Sequence, residues 1–191
     1  DLVLLDNRYH RSHPKLPEGP GKGMFGAAQV AWLENALLGA RGRVKLVAGG
    51  SQFWNAASRH EGLYQYPAEQ RRLADFLLAA RVEGLVFLSG DRHFGELLRV
   101  DRPGAYPLLE FTSSPLTSSP WAKPDAAERE NPQVVPGTLF GRRQFGLIRV
   151  TGPGADRRIA LESYDSAGTL LWRHELRAAD LRFAAAPPAP R

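Results

Sequence analysis

The sequence contains no cysteine, which excludes disulfide bridges and thiolate metal ligation and leaves the redox compartment open. It also lacks any apolar run approaching the ~18 residues that a membrane-spanning helix needs, so no transmembrane segment is expected. Residues 1–6, Asp-Leu-Val-Leu-Leu-Asp, read as a strand and not as a basic stretch leading into an apolar one, so they predict no signal peptide. Lysine is scarce, and arginine carries most of the positive side of a formal net charge of +5. Those arginines, among them Arg41, Arg43, Arg71, Arg72, Arg142, Arg143, Arg157 and Arg158, are scattered along the chain. They form no basic stripe interleaved with aromatic residues, so nucleic-acid binding is not expected.

What is present is an ordinary globular composition. A hydrophobic fraction of 43% and a charged fraction of 24% over 191 residues suit one domain with a sizeable core. Residues 2–5 are an apolar run ending at Asp6, which predicts a buried strand delivering polar groups at its end. Residues 10–25, rich in His, Pro, Gly and Lys, predict a loop. Over 27–38, Val30, Leu33 and Leu37 recur at helical spacing, with Gly39 as a stop. Residues 44–48 predict a second strand, broken at Gly49-Gly50. Pro67 opens a second helix with Leu73, Phe76, Leu77 and Ala80 on one face, and residues 85–88 predict a third strand.

This alternation argues for a layered α/β arrangement with strands buried between helices. Residues 107–112 then read as extended. Residues 113–141, full of Ser, Pro, Thr and Asn, show no period and predict a long functional or disordered loop. Residues 145–150, 159–164 and 170–176 predict strands, the last two joined by a hairpin turn at Asp165-Ser166-Ala167-Gly168. The Ala/Pro-rich residues 184–191 predict a disordered tail after a domain spanning 1–183.

One segment carries chemistry: an apolar strand running directly into Ser89-Gly90-Asp91-Arg92-His93, with Glu96 beyond. In open α/β sheets, ligands gather at the carboxyl ends of strands. Asp91 offers a hard oxygen and His93 an imidazole nitrogen, a mixture that suits iron, zinc, manganese and related ions. Alone, the Asp-x-His pair is equally a turn-capping aspartate beside a packed histidine. His10 and His13 have no carboxylate cluster beside them, and His60 and His174 carry no signal.

The order LLDNRYHR, AAQVAWLENAL, GGSQFW, YQYPAEQRRLADFLL, VFLSGDRHFGEL and LLEFTSSPLT resembles the PhoD-like alkaline phosphatases over residues 2–176. The shared positions are Asp6 and Arg8; Gln29, Trp32 and Leu33; Ser51 and Gln52; Arg71 and Arg72; residues 89–93; and Glu110 with residues 112–114. The resemblance implies a calcineurin-like metallophosphoesterase fold: an α/β strand sandwich flanked by helices, with a two-metal centre at strand ends. It also implies divalent or trivalent metal ions (iron, calcium, zinc, manganese or magnesium), a phosphate ester substrate, and a periplasmic or secreted location.

The segments of that family that would supply most metal ligands, of the type Gly-Asp-x-x-Tyr and Asp-Asp-His-Asp, are absent. The expectation is therefore an incomplete domain whose partner is the missing N-terminal half of the same protein. The alternative is a non-catalytic α/β binding or interaction module. Asp91 and His93 are the expected metal ligands, one to each ion. Glu96 is expected to accept the second N–H of His93, or else to be a solvated strand residue. Arg8 is the catalytic candidate, pairing with a phosphate oxygen, or else an ion pair with Asp6 or another carboxylate. Ser51, Gln52 and Trp54 are candidates for substrate contact, with a polar turn and buried aromatic packing as the alternatives.

Overall fold

The computed structural model describes residues 1–154 and 156–184. Of the expected tail only Ala184 falls among them; 185–191 lie outside the described residues.

Five strands form the first sheet: β1 (Leu2–Leu4), β2 (Lys45–Ala48), β3 (Leu85–Ser89), β4 (Glu96–Val100) and β5 (Leu108–Thr112), in the order β1-β2-β3-β5-β4. All ladders are parallel except that between β4 and β5. Helices α1 (Ala27–Gly39) and α2 (Pro67–Ala79) cross over between β1, β2 and β3. Right-handed crossovers that advance in one direction place both helices on one face. Their inner residues are Val30, Leu33 and Leu37, then Leu73 and Leu77, all buried. Phe76 is only half-buried, and Ala80 lies past the end of α2 and is exposed. The buried stripe is thus narrower than the spacing predicts.

Ladder partners share a sheet face, so the registers sort the side chains. Val3, Val47, Phe87 and Glu110 form one row on the helix side. Leu4, Ala48, Leu88 and Phe111 form a row on the other side, beside Leu2, Leu46, Val86 and Leu109. That second face meets an antiparallel sheet of β6 (Gln144–Thr151), β7 (Arg158–Asp165) and β8 (Leu170–Arg177). Phe111 packs edge-on against Trp172, with ring centroids 4.9 Å apart, and a Cβ on Gly146 would meet the Phe111 ring at 2.7 Å. The β7–β8 turn falls at residues 165–168, where Gly168 takes a φ of 82° and the Asp165 carboxylate accepts the N–H groups of Ala167 and Thr169.

The sandwich is closed over β5 and β3 and open over β1. Leu2 and Leu4 are 60% and 68% exposed, and Val150 on the facing β6 is 42% exposed.

Two further features differ from the sequence reading. β4 is a strand that its pattern conceals, because Glu96, Leu97 and Leu98 are all buried and leave no alternation to read. Residues 113–141 are an ordered strap along the free edge of β4, not a structureless loop. Arg99 N–H donates to the Gln133 carbonyl and Val135 N–H to the Leu97 carbonyl, each at 2.8 Å. A short helix, α3 (Ala126–Arg129), is capped where the Asp125 carboxylate accepts the Glu128 N–H. Order maintained by backbone pairing and caps leaves no hydrophobic period in a sequence.

Candidate functional site

β2 and β3 end side by side, delivering residues 49–58 and 90–95 to one edge of the sheet. Asp91 and His93 both adopt left-handed backbone, with φ of 66° and 60°, which is strained for residues with a Cβ. The consequence is directional. Asp91 and His93 are exposed at a cavity of ≈ 550 Å³, and Arg92 between them also borders it but is only 5% exposed.

The His93 ring is fixed. Its Nδ1 lies 2.5 Å from the Ser119 carbonyl oxygen, which only accepts, so Nδ1 carries a proton and in the neutral ring Nε2 keeps the lone pair. The backbone around it is held as well: His93 N–H donates to Ser114 Oγ at 3.0 Å, and Trp121 N–H donates to the His93 carbonyl at 2.7 Å.

His60, Glu61, Pro120 and Trp121 complete the cavity wall, with the His60 ring edge-on to Trp121 at 5.1 Å. Glu61 is the hub of its charged side. It takes Arg8 Nη1 at 2.8 Å and Arg11 Nη1 at 2.6 Å, and accepts from Ser51 Oγ at 2.9 Å. Burial pulls the Glu61 carboxyl up. The hydrogen bonds of Arg11 and Ser51, the Arg11 charge and Arg8 outweigh it and hold Glu61 below the usual carboxylate range.

Beneath the cavity lies a buried polar network. Gln52 Nε2 donates to Glu96 Oε1 at 2.7 Å and to Thr112 Oγ1 at 2.9 Å. Asn55 Nδ2 reaches Gln52 Oε1, Glu96 Oε1 and Glu128 Oε2. Glu110 receives the Phe53 and Trp54 N–H groups at 2.9 and 2.8 Å. Burial pushes Glu96 up to about 8 and Glu110 up to about 7.

The expected residues therefore fall in different places. Asp91, His93, Arg8 and Ser51 converge on the cavity or on Glu61, which borders it. Arg8 pairs with Glu61, while Asp6 Oδ1 accepts the backbone N–H groups of Arg8 and Tyr9 and fixes the turn, not the guanidinium. Glu96 is not the acceptor for the His93 ring, because Ser119 holds that position; nor is it solvated, being fully buried against Gln52 and Asn55. Gln52 and Trp54 are corrected too. Gln52 is 1% exposed and spent on Glu96 and Thr112, and Trp54 packs on Phe87 at 5.3 Å, drawn inward by the Glu110 capture of its backbone. Glu61, Arg11 and Trp121 went unread and His60 carried no signal, since all four sit in aperiodic loops far in sequence from the motif they meet.

The donor set at this edge suits a metal ion: one carboxylate and one imidazole in the binding tautomer face a common cavity. Among the described residues no group of three or more His, Cys, Asp or Glu is placed to hold an ion.

A mostly parallel sheet backed by two crossover helices, with donors collected at its strand ends, defines an α/β protein of the strand-end ligand-binding class. Its family is narrower. The model of the PhoD-like phosphatase family matches residues 1–151, and the chain belongs to that family. A solved structure of PhoD shares the fold with a TM-score of 0.64 at 20% identity, covering 92% of this chain. The chain spans 41% of the length of that solved chain. No curated protein matches the sequence. Among the described residues no helix is long and apolar enough to cross a membrane.

Proposed function

We propose that this chain supplies Asp91 and His93 to the metal centre of a phosphoric ester hydrolase, the remaining ligands coming from further polypeptide of the same protein. The observation that carries the reading is the shared cavity of the Asp91 carboxylate and a His93 ring locked with Nε2 free. Family membership supports phosphoesterase chemistry in general. The uncovered β1 face, with Leu2 and Leu4 exposed, offers apolar area on which the rest of a domain would pack.

The Asp91 carboxylate and His93 Nε2 would each hold one ion. Oxygen and nitrogen donors admit iron, zinc, manganese, magnesium or calcium. When bound, paired ions lower the pKa of a coordinated water and clamp phosphoryl oxygens for in-line attack. The chain's own residues orient and bind. Ser119 fixes the His93 tautomer. Arg8 and Arg11 present guanidinium groups at the cavity border, where Glu61 is the resident anion that a phosphate ester would displace. Trp121 and Pro120, from the strap, wall the opposite side.

A non-catalytic binding module is the second reading. It is favoured by the pairing of Glu61 with both arginines, which leaves Asp91 and His93 as a two-donor set among the described residues.

The test uses the full gene product, with metal analysis and assays on p-nitrophenyl phosphate and bis-p-nitrophenyl phosphate. Asp91→Ala and His93→Ala are expected to lower kcat/KM by about 100-fold or more and to release metal. Unchanged metal stoichiometry in both variants refutes the ligand assignment, and a wild-type product that hydrolyses neither ester leaves the binding module standing.

A further inference from the structure

Arg92 sits between the two proposed ligands and borders the same cavity, but its side chain is buried. Its guanidinium is bound to Glu128 of α3, and the two side chains are 3% and 1% exposed. It lies against two neighbouring rings, Phe94 at 5.0 Å and Trp121 at 5.9 Å, whose centroids are 5.8 Å apart. Glu128 is itself fixed: Oε2 accepts from Asn55 Nδ2 at 2.9 Å, and its N–H is capped by Asp125 at 3.0 Å. Asn55 is fixed in turn, with Asn131 Nδ2 donating to its Oδ1 at 3.0 Å. The turn after β3, the loop after β2 and the strap are thereby joined through one buried ion pair.

A buried pair is a poor source of stability, because desolvation offsets most of the attraction. What it does provide is direction. Left-handed backbone at two non-glycine sites flanking one residue needs that residue to be held, and Arg92 is held by its ion pair with Glu128 and by the two rings. With Arg92 buried, Asp91 and His93 on either side of it are exposed.

We propose that the Arg92–Glu128 pair is the positioning device of the Asp91–His93 turn, so that Glu128, 36 positions away in sequence, sets the geometry of the ligands. The proposal rests on the reading of that turn as part of a metal centre. Glu128 touches neither ligand and acts through Arg92. The strap is accordingly a clamp on the site as well as a wall of it.

The test uses two variants of the full gene product, Glu128→Gln and the double variant Arg92→Met/Glu128→Met. Apolar replacement of a buried pair is commonly neutral for folding, so the double variant separates geometry from stability. Amide hydrogen exchange is followed at His93 and Trp121, whose N–H groups are bonded around the turn, and at β3 and β5 as references. Both variants are expected to exchange at least about 10-fold faster at His93 and Trp121, with β3 and β5 unchanged. Their Mn²⁺ dissociation constants are expected to rise about 10- to 100-fold. Wild-type protection at His93 and Trp121 in both variants overturns the proposal, and so does protection lost equally across β3 and β5. Mn²⁺ affinity that survives Asp91→Ala and His93→Ala refutes the metal reading instead, and the exchange result still decides whether the pair positions the turn.

Discussion

At the scale of single residues, Glu96 and Glu110 show how one kind of side chain meets burial in two ways. They lie on neighbouring strands, both fully buried on the helix side of the sheet. Glu110 spends both oxygens on the Phe53 and Trp54 amides. Glu96 Oε1 accepts from Gln52 and Asn55, while Oε2 has no partner among the described residues. The charged groups that bear on Glu96 are Glu128 from α3, Glu110 from β5 and Arg92 from the turn, but burial dominates and raises its pKa from 4.5 to about 8.

Between those two pH values the folded chain binds a proton that the unfolded chain has released. Stability therefore falls as pH rises from about 4.5 to about 8. Glu96→Gln is expected to remove that part of the slope, leaving Tm at pH 5 nearly unchanged and raising it at pH 8.5 by about 2–4 °C for each kcal/mol of stability regained. Glu110→Gln is expected to remove a slope of the same sign between about 4.5 and about 7, but to cost about 1–3 kcal/mol because an amide cannot accept both N–H bonds. Thermal unfolding across pH checks both, and an unaltered slope in Glu96→Gln would show that its carboxyl does not titrate in that range.

At the scale of elements, the strap is the segment whose role reaches furthest. Ser119, Pro120 and Trp121 border the cavity, and Leu116 just before them is 68% exposed. Proteolytic nicking within residues 116–119 is expected to shift the substrate range or lower the activity of the full gene product. Unchanged activity on both nitrophenyl esters after a complete cut would show that this stretch walls nothing of consequence.

Elements built on periodicity were legible in the sequence. The three inner residues of α1 were readable from spacing alone, and the β3 run led straight to Asp91 and His93. The strap was not, because its order comes from pairing with β4 and from caps. Nor was the fate of Gln52 and Trp54. Polar and aromatic residues at a strand end resemble substrate contacts, and only the buried glutamates on β4 and β5, invisible to any pattern, turn them inward. Glu61 met Arg8 and Arg11 across about fifty positions without a local signal.

At the scale of the whole molecule, the chain is a sandwich with one flank uncovered. The second sheet stops short of β1, and Leu2, Leu4 and Val150 remain in contact with solvent. Where an edge strand shows both unpaired backbone and leucine, it is a template for another chain. Purified by itself, this polypeptide is expected to self-associate, with scattered light per unit mass rising as concentration rises. The Leu2→Lys/Leu4→Lys variant is expected to suppress that rise with Tm altered by no more than about 1–2 °C, since exposed substitutions usually cost under about 0.5 kcal/mol. Equal scattering from both proteins would place the sticky surface elsewhere. Released alone from the ribosome, this stretch would then carry a sticky flank from the start, and chaperone demand would track how long that flank stays bare.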